Sequence, residues 1–117
     1  MKNDDKTRIM HLIEHIQRIQ VILQGVSEEQ FYQSTTLIDA VSYNFAILGE
    51  AANRLSNDIQ NKHPEIPWGN IIGMRNILIH DYMKSKPHYL WEGTQNDLPP
   101  LLESLEVMLK SMESPGE

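Results

Sequence analysis

The sequence predicts an all-α protein: an antiparallel four-helix bundle with one additional short helix. Three observations carry this. Apolar residues recur at three- and four-residue spacing over long stretches, capping and stopping residues fall between those stretches, and no run alternates with the period of a strand. The connections are short, as antiparallel neighbours require. With 117 residues there is room for one domain, spanning 1–117, and one core. A chain of this size buries roughly two-thirds of its unfolded surface, so it folds without needing a metal or a disulfide.

The elements follow in order. Residues 7–24, TRIMHLIEHIQRIQVILQ, put Ile9, Leu12, Ile13, Ile16 and Leu23 on one helical face, and Gly25 ends the helix. SEEQF then carries Ser27 and Gln30 at the spacing of a capping box, predicting a short helical turn. Residues 36–57 form a second long helix, rich in alanine and so able to pack closely. HPEIPWG is a loop that launches a third helix, with Pro67 suited to its first turn and an expected end near Lys84. Pro87 breaks that helix, a short helix spans about 88–93, and Asp97 with Pro99 and Pro100 starts the last helix, running to about Met112.

Composition narrows the chemistry. The chain has no cysteine, which excludes disulfide scaffolds, thiol catalysis and cysteine-ligated zinc, and makes a reducing cytoplasm the expected location. No apolar run approaches the roughly 20 residues of a membrane span, and MKNDDKTRIM lacks a signal-peptide core. The net charge of −6 argues against nucleic-acid binding by general electrostatics, since such domains are usually basic. It leaves open a protein that grips one or two phosphates in a local cationic cleft.

The stretch MRNILIHDYM, residues 74–83, threads Arg75, Asn76, His80 and Tyr82 through an apolar run. Buried without partners, such groups would be costly. At about 100° per residue, Ile71, Met74, Ile77 and Leu78 share a core-facing stripe. Arg75, Asn76 and His80 fall on a second face with Gly69, Gly73, Ile72, Ile79 and Met83. Each glycine inside a helix costs on the order of 0.5–1 kcal/mol relative to alanine, a loss tolerated where another backbone or a ligand comes close. The apolar row of Ile72, Ile79 and Met83 suggests a dimer interface, with a copy of the chain related by a two-fold axis. Such a dimer brings two arginines and two histidines into one cleft. The plainer alternative is that Arg75 and His80 only hydrogen-bond within the bundle. Tyr82 lies within roughly 20° of Arg75 on the wheel and about 10.5 Å further along the axis.

RNILIHDY resembles the signature of the HEPN superfamily, and the tyrosine two residues after the histidine resembles its HepT-like toxin branch. ILGEAANRLS (47–56), HPEIPWGNIIGMRN (63–76) and LWEGTQNDLPPLLESLE (90–106) are similar to the same family, so the resemblance covers roughly residues 36–106. It implies a HEPN-type bundle and metal-independent RNA cleavage, with Arg75 and His80 catalytic and Asn76 supportive. It further implies a toxin of a type VII-like toxin–antitoxin pair whose partner is a minimal nucleotidyltransferase, with Tyr82 as the residue that receives AMP. Histidine can act as base or acid at neutral pH, and the planar fork of arginine suits phosphate oxygens. Asp81 either orients His80 or faces solvent. A reading from another class is a non-catalytic helical module that binds RNA or a nucleotidyltransferase, and a third is a purely structural bundle.

HLIEH (11–15) fits the pattern of inverted zinc peptidases, but the chain is too short for one and no third ligand follows, so no metal is expected. His63 sits before Pro64 in a loop, where a surface position is expected. Lys84, Lys86 and His88 lie just past the motif and read either as a favourable cationic helix end or as a small RNA-phosphate patch. No glycine-rich phosphate loop is present, so no nucleotide cofactor is expected for this chain.

Overall fold

A computed structural model describes residues 2–80 and 87–112, with side chains described for 4–74 and 87–112. Among these the backbone is helical with no strand, and the fold is the expected α-bundle. Helix α1 (Lys2–Ile22) buries Ile9, Leu12, Ile16 and Ile19 at helical spacing. The chain turns at Gly25, whose φ of +76° is the left-handed conformation that favours glycine. Helix α2 (Glu28–Tyr32) carries both halves of the capping box. The Ser27 hydroxyl accepts from the Gln30 amide at 3.1 Å, and the Gln30 side chain accepts from the Ser27 amide at 2.9 Å. Its Phe31 is fully buried.

Helix α3 (Thr35–Asn53) is the centre of the bundle, packing against α1 and against α5. Ile38, Val41, Phe45 and Leu48 supply its large core residues, while Gly49, Ala51 and Ala52 let neighbours approach. A buried amide adds direction to this packing. Asn44 donates to the Ala40 carbonyl at 2.8 Å, and its oxygen lies 2.8 Å from His15 Nδ1 on α1. Because that oxygen can only accept, Nδ1 carries the proton.

One long helix over 36–57 is not what forms. The chain stops at Asn53, drops Leu55 into the core and begins a separate helix, α4 (Asn57–Lys62). The cause is a cap reinforced from a distance. The Ser56 hydroxyl accepts from the Ile59 amide at 3.2 Å, while Asp5 of α1 takes the Ser56 amide at 3.0 Å and its hydroxyl at 2.7 Å. Gln60 reaches back to the carbonyls of Ala52 and Leu55, both at 3.2 Å, tying α4 to the turn that follows α3.

Helix α5 (Trp68–His80) begins just after Pro67, whose carbonyl accepts from Asn70 and Ile71 at 3.1 Å. Trp68 is buried and its indole donates to the His63 carbonyl at 3.0 Å, fixing the entry loop to the bundle. The expected continuation to Lys84 lies outside the described residues.

The last third of the chain also departs from expectation. Helix α6 (Pro87–Glu92) runs through a π turn (Gly93–Asp97) directly into α7 (Leu98–Met112), with no break before Pro99 and Pro100. The Leu98 amide donates to the Gly93 carbonyl, five residues back. Pro99 and Pro100 cannot donate to the carbonyls four residues earlier, and their rings would crowd them. Those carbonyls belong to Gln95 and Asn96, inside the π turn, where the wider coil relieves the conflict. Helix α7 packs on α1 through the face that buries Leu101, Leu105 and Met108, while α6 rests on α2 and α3.

The Asp5–Ser56 contact generates a stability prediction. Asp5→Ala and Ser56→Ala should each cost about 0.5–2 kcal/mol, the range for losing a helix cap. The double variant should cost less than the sum, because one interaction is removed twice. Urea unfolding midpoints measure all three.

Candidate functional site

The residues that the motif singles out fall at the C-terminal end of α5. The backbone of Arg75, Asn76 and His80 is helical, so their expected register on one helix holds. Their side chains and that of Ile79 lie outside the described residues, as do Asp81, Tyr82, Met83, Lys84 and Lys86 altogether. The described part of α5 shows how the preceding turns of the helix sit on the bundle. Ile71 is buried, and Met74 is half-buried against the core, as the wheel requires. Ile72, expected in an exposed interface row, is half-buried and packs against the core cluster, so part of that row serves the bundle itself.

Gly69 and Gly73 border open space. Among the described residues, a Cβ built on either would meet nothing within 4 Å. They form one wall of a cleft of about 530 Å³, together with Asn70 and Met74. The opposite wall comes from Tyr89 and Glu92 of α6 and from Gly93 and Asp97 of the π turn. A cleft of this size is in the range that holds a small organic group. In helical register, Asn76 and His80 continue the line of Gly69 and Gly73, so the cleft abuts the motif along the axis of α5.

Sequence reasoning missed the second wall. At ordinary helical spacing Glu92 and Asp97 would lie about 140° apart and could not share a cleft. The π turn between them changes that phase and brings both to the rim. The signal was present as Gly93 followed by Pro99 and Pro100, but its reading depends on Phe45. A Cβ at Gly93 would stand 3.0 Å from the Phe45 ring, so glycine is what lets this turn seat on α3. Tyr89, which lines the cleft, is about half exposed, and its ring lies 4.2 Å from that of His88 at 41°.

Other candidates do not converge. Within HLIEH, His11 is exposed and His15 commits Nδ1 to Asn44. Among the described residues no group of three histidine or acidic side chains is placed to hold a metal ion. No described helix is long and apolar enough to cross a membrane. His63, expected at the surface, is partly exposed, with Nδ1 3.3 Å from Glu65.

Comparison with known proteins now bears on this geometry. The model of the family described as ribonuclease HepT-like matches residues 12–108, a span that includes α3, α5, the motif and both walls of the cleft. The chain belongs to the HepT-like ribonuclease family. Its class of chemistry is therefore that of a ribonuclease. A Thermococcus cleftensis protein named "probable ribonuclease HepT" is 32% identical over 94% of this chain and 100% of its own length. A Methanocaldococcus jannaschii protein named as a candidate RNase is 28% identical over 92% of this chain and 98% of its own. A second M. jannaschii protein, named gamma-glutamylcyclotransferase and candidate RNase, is 34% identical over 97% of this chain, which spans 51% of that protein's length. No solved structure matches the chain.

The two glycine environments predict opposite responses to the same added methyl. Gly73→Ala meets no neighbour among the described residues and should raise stability by about 0.5–1 kcal/mol, as a compatible helical Gly→Ala change does. Gly93→Ala presses on Phe45 and should lower stability by about 1–3 kcal/mol, the range for overpacking. Chemical denaturation reads both signs. A Gly73→Ala protein that is more stable yet slower on RNA would identify the glycine line as a contact surface.

Proposed function

We propose that this chain is an endoribonuclease working in the cytoplasm without a metal, at a site completed by a second copy of itself. We propose also that it is the toxin of a type VII-like toxin–antitoxin pair. The observation that carries the reading is the family match across residues 12–108, which contains the Arg75-to-His80 spacing on a helix bordering an open cleft.

In this reading a ribose 2′-hydroxyl attacks the adjacent phosphorus and the 5′-oxygen of the next nucleotide leaves. The products are a 2′,3′-cyclic phosphate and a free 5′-hydroxyl. The step needs a base for the 2′-proton, an acid for the leaving oxygen, and a cation for the charge that builds on the phosphorane. Imidazole serves either proton-transfer role near neutral pH, and a dimer supplies one for each. The Arg75 guanidinium matches two phosphate oxygens at once. Asn76, one turn from His80, supports the phosphate or the imidazole, and Lys84 and Lys86 extend the path of the RNA backbone. Ile79 and Met83, with the outer part of Ile72, form the contact between the copies.

Arg75→Ala and His80→Ala should each lower cleavage by about 10²–10⁴-fold while leaving the helical circular-dichroism signal intact. Cleavage should persist in EDTA and yield cyclic-phosphate ends, whereas strict dependence on added magnesium would remove this mechanism. Ile79→Glu should give a soluble monomer without activity, read by sedimentation.

Silencing is assigned to Tyr82. Its phenolic oxygen attacks the α-phosphorus of ATP in the active site of the nucleotidyltransferase antitoxin, and pyrophosphate leaves. The AMP adds negative charge and a bulky nucleoside near Arg75, competing for the guanidinium and repelling RNA. Other tyrosines provide the controls. The Tyr32 hydroxyl donates to Glu28 at 2.6 Å, which together with desolvation and the charges of Glu28 and Glu92 pushes its pKa up to about 12. Tyr43 and Tyr89 are 65% and 47% exposed and thus open to modification. Tyr82→Phe should stay toxic and escape neutralisation on co-expression, while Tyr43→Phe should remain neutralised. Adenylate found by mass spectrometry on Tyr43 or Tyr89, with Tyr82→Phe fully neutralised, would reassign the site.

A further inference from the structure

The cleft beside the motif has the wrong charge for a phosphate and the right groups for a base. Glu92 and Asp97 stand on its rim, where they would repel an RNA backbone. A carboxylate, however, accepts hydrogen bonds through two oxygens and is a natural partner for the N–H groups on a base edge. Tyr89 lines the same cleft with its ring about half exposed and packed beside His88, and an exposed aromatic face is what unpaired bases stack on. The glycine wall of α5 keeps the space between these walls open. The π turn that brings Asp97 round to Glu92 is the kind of helix irregularity that marks functional sites.

Position supplies the link to chemistry. From Gly73 to Asn76 is one turn of α5, and to His80 is two turns, about 10.5 Å along the axis. A nucleotide flanking the phosphate held at Arg75 and His80 can therefore place its base in the cleft. We propose that the cleft is a base-specificity subsite for a guanine next to the scissile phosphate. Tyr89 stacks on the base, and Glu92 or Asp97 receives its Watson–Crick donors. Guanine is singled out because it presents two adjacent donors, N1–H and the 2-amino group, which fit the two oxygens of one carboxylate. Adenine and cytosine offer one amino group each, and uracil a single N–H. The inference rests on the reading of α5 as the catalytic helix, and it names which RNA that helix cuts.

The test uses the full chain and short uridine-rich RNA oligonucleotides with one variable base, G, inosine, A, C or U, placed on either side of the central linkage. Binding is measured by fluorescence anisotropy on 2′-O-methyl versions, which cannot be cleaved, and cleavage on the unmodified set. The G oligonucleotide should bind at least about tenfold more tightly than inosine, which lacks the 2-amino group, as expected for a bidentate base contact. The Glu92→Gln/Asp97→Asn variant should lose that preference without weakening its binding of the all-uridine oligonucleotide, since removing the two charges also relieves their repulsion of the backbone, and Tyr89→Ala should weaken every oligonucleotide. Equal binding of G and inosine, a preference that survives the double variant, or no binding at all overturns the subsite. Absence of cleavage of the unmodified set counts against the ribonuclease reading, and the binding arm still decides the subsite.

Discussion

The cleft is defined by how two separate segments settle on α3. Helix α5 packs on α3 and presents its glycines outward, while the turn after α6 sits on Phe45 of the same helix. Both walls are therefore positioned by one central element. This makes the packing of α3 the condition for everything at the site. Its position is in turn fixed on the far side by α1, through the apolar stripe and through the hydrogen bond of His15 to Asn44. Apolar contacts alone tolerate sliding. A buried amide with a specified donor and acceptor does not, because any shift leaves a polar group unpaired at a cost of about 1–3 kcal/mol.

Charge is distributed in a way that suits a local mechanism and not a general one. Arg18, Arg54 and Lys62 each face an acid one turn earlier on their own helix, at 2.6, 2.8 and 3.4 Å. Such exposed pairs add little to stability, but they cancel the positive field that would draw RNA to these faces. On the proposed reading, and against a net charge of −6, the motif stretch attracts the RNA backbone, with Arg75, Lys84 and Lys86 close together in sequence. On the proposed reading the backbone follows these cations while bases turn toward the acidic rim. The same acids that would weaken non-specific binding then favour one base over another.

How legible each part was depends on the range of the interaction behind it. The capping box at Ser27 and Gln30, the stop at Gly25 and the apolar stripe of α1 are local, and all formed as the residues predicted. The end of α3 was not legible, since the Ser56 cap that starts α4 is reinforced by Asp5, 51 residues earlier in the chain. The π turn was illegible for a related reason: the prolines read as a helix start because the turn that accommodates them is stabilised by Phe45 of another helix. The motif was legible as a face of α5, and its spacing pointed to the family before any packing was known. Its neighbour across the cleft was not, because a helical wheel with a constant 100° step cannot place Glu92 and Asp97 together.

Gly69 and Gly73 show why the site lies where it does. In a 13-residue helix, Gly73 in the interior removes on the order of 0.5–1 kcal/mol of helical stability relative to alanine, and Gly69 is a second glycine in the first turn. Among the described residues nothing requires either glycine, since a Cβ would meet no neighbour there and neither has positive φ. A fold selected for stability alone would carry alanine at both positions. Local sequence choices that oppose the stability of their own element gather where a surface has another task. Here they occupy one line of α5 that leads, within two turns, to Asn76 and His80. The bundle can carry the loss because α5 is anchored at its start by Trp68 and Ile71, both buried, and by the indole bond to His63. Anchoring at one end and openness along one face are the arrangement that lets a short helix be both part of the core and the floor of a cleft.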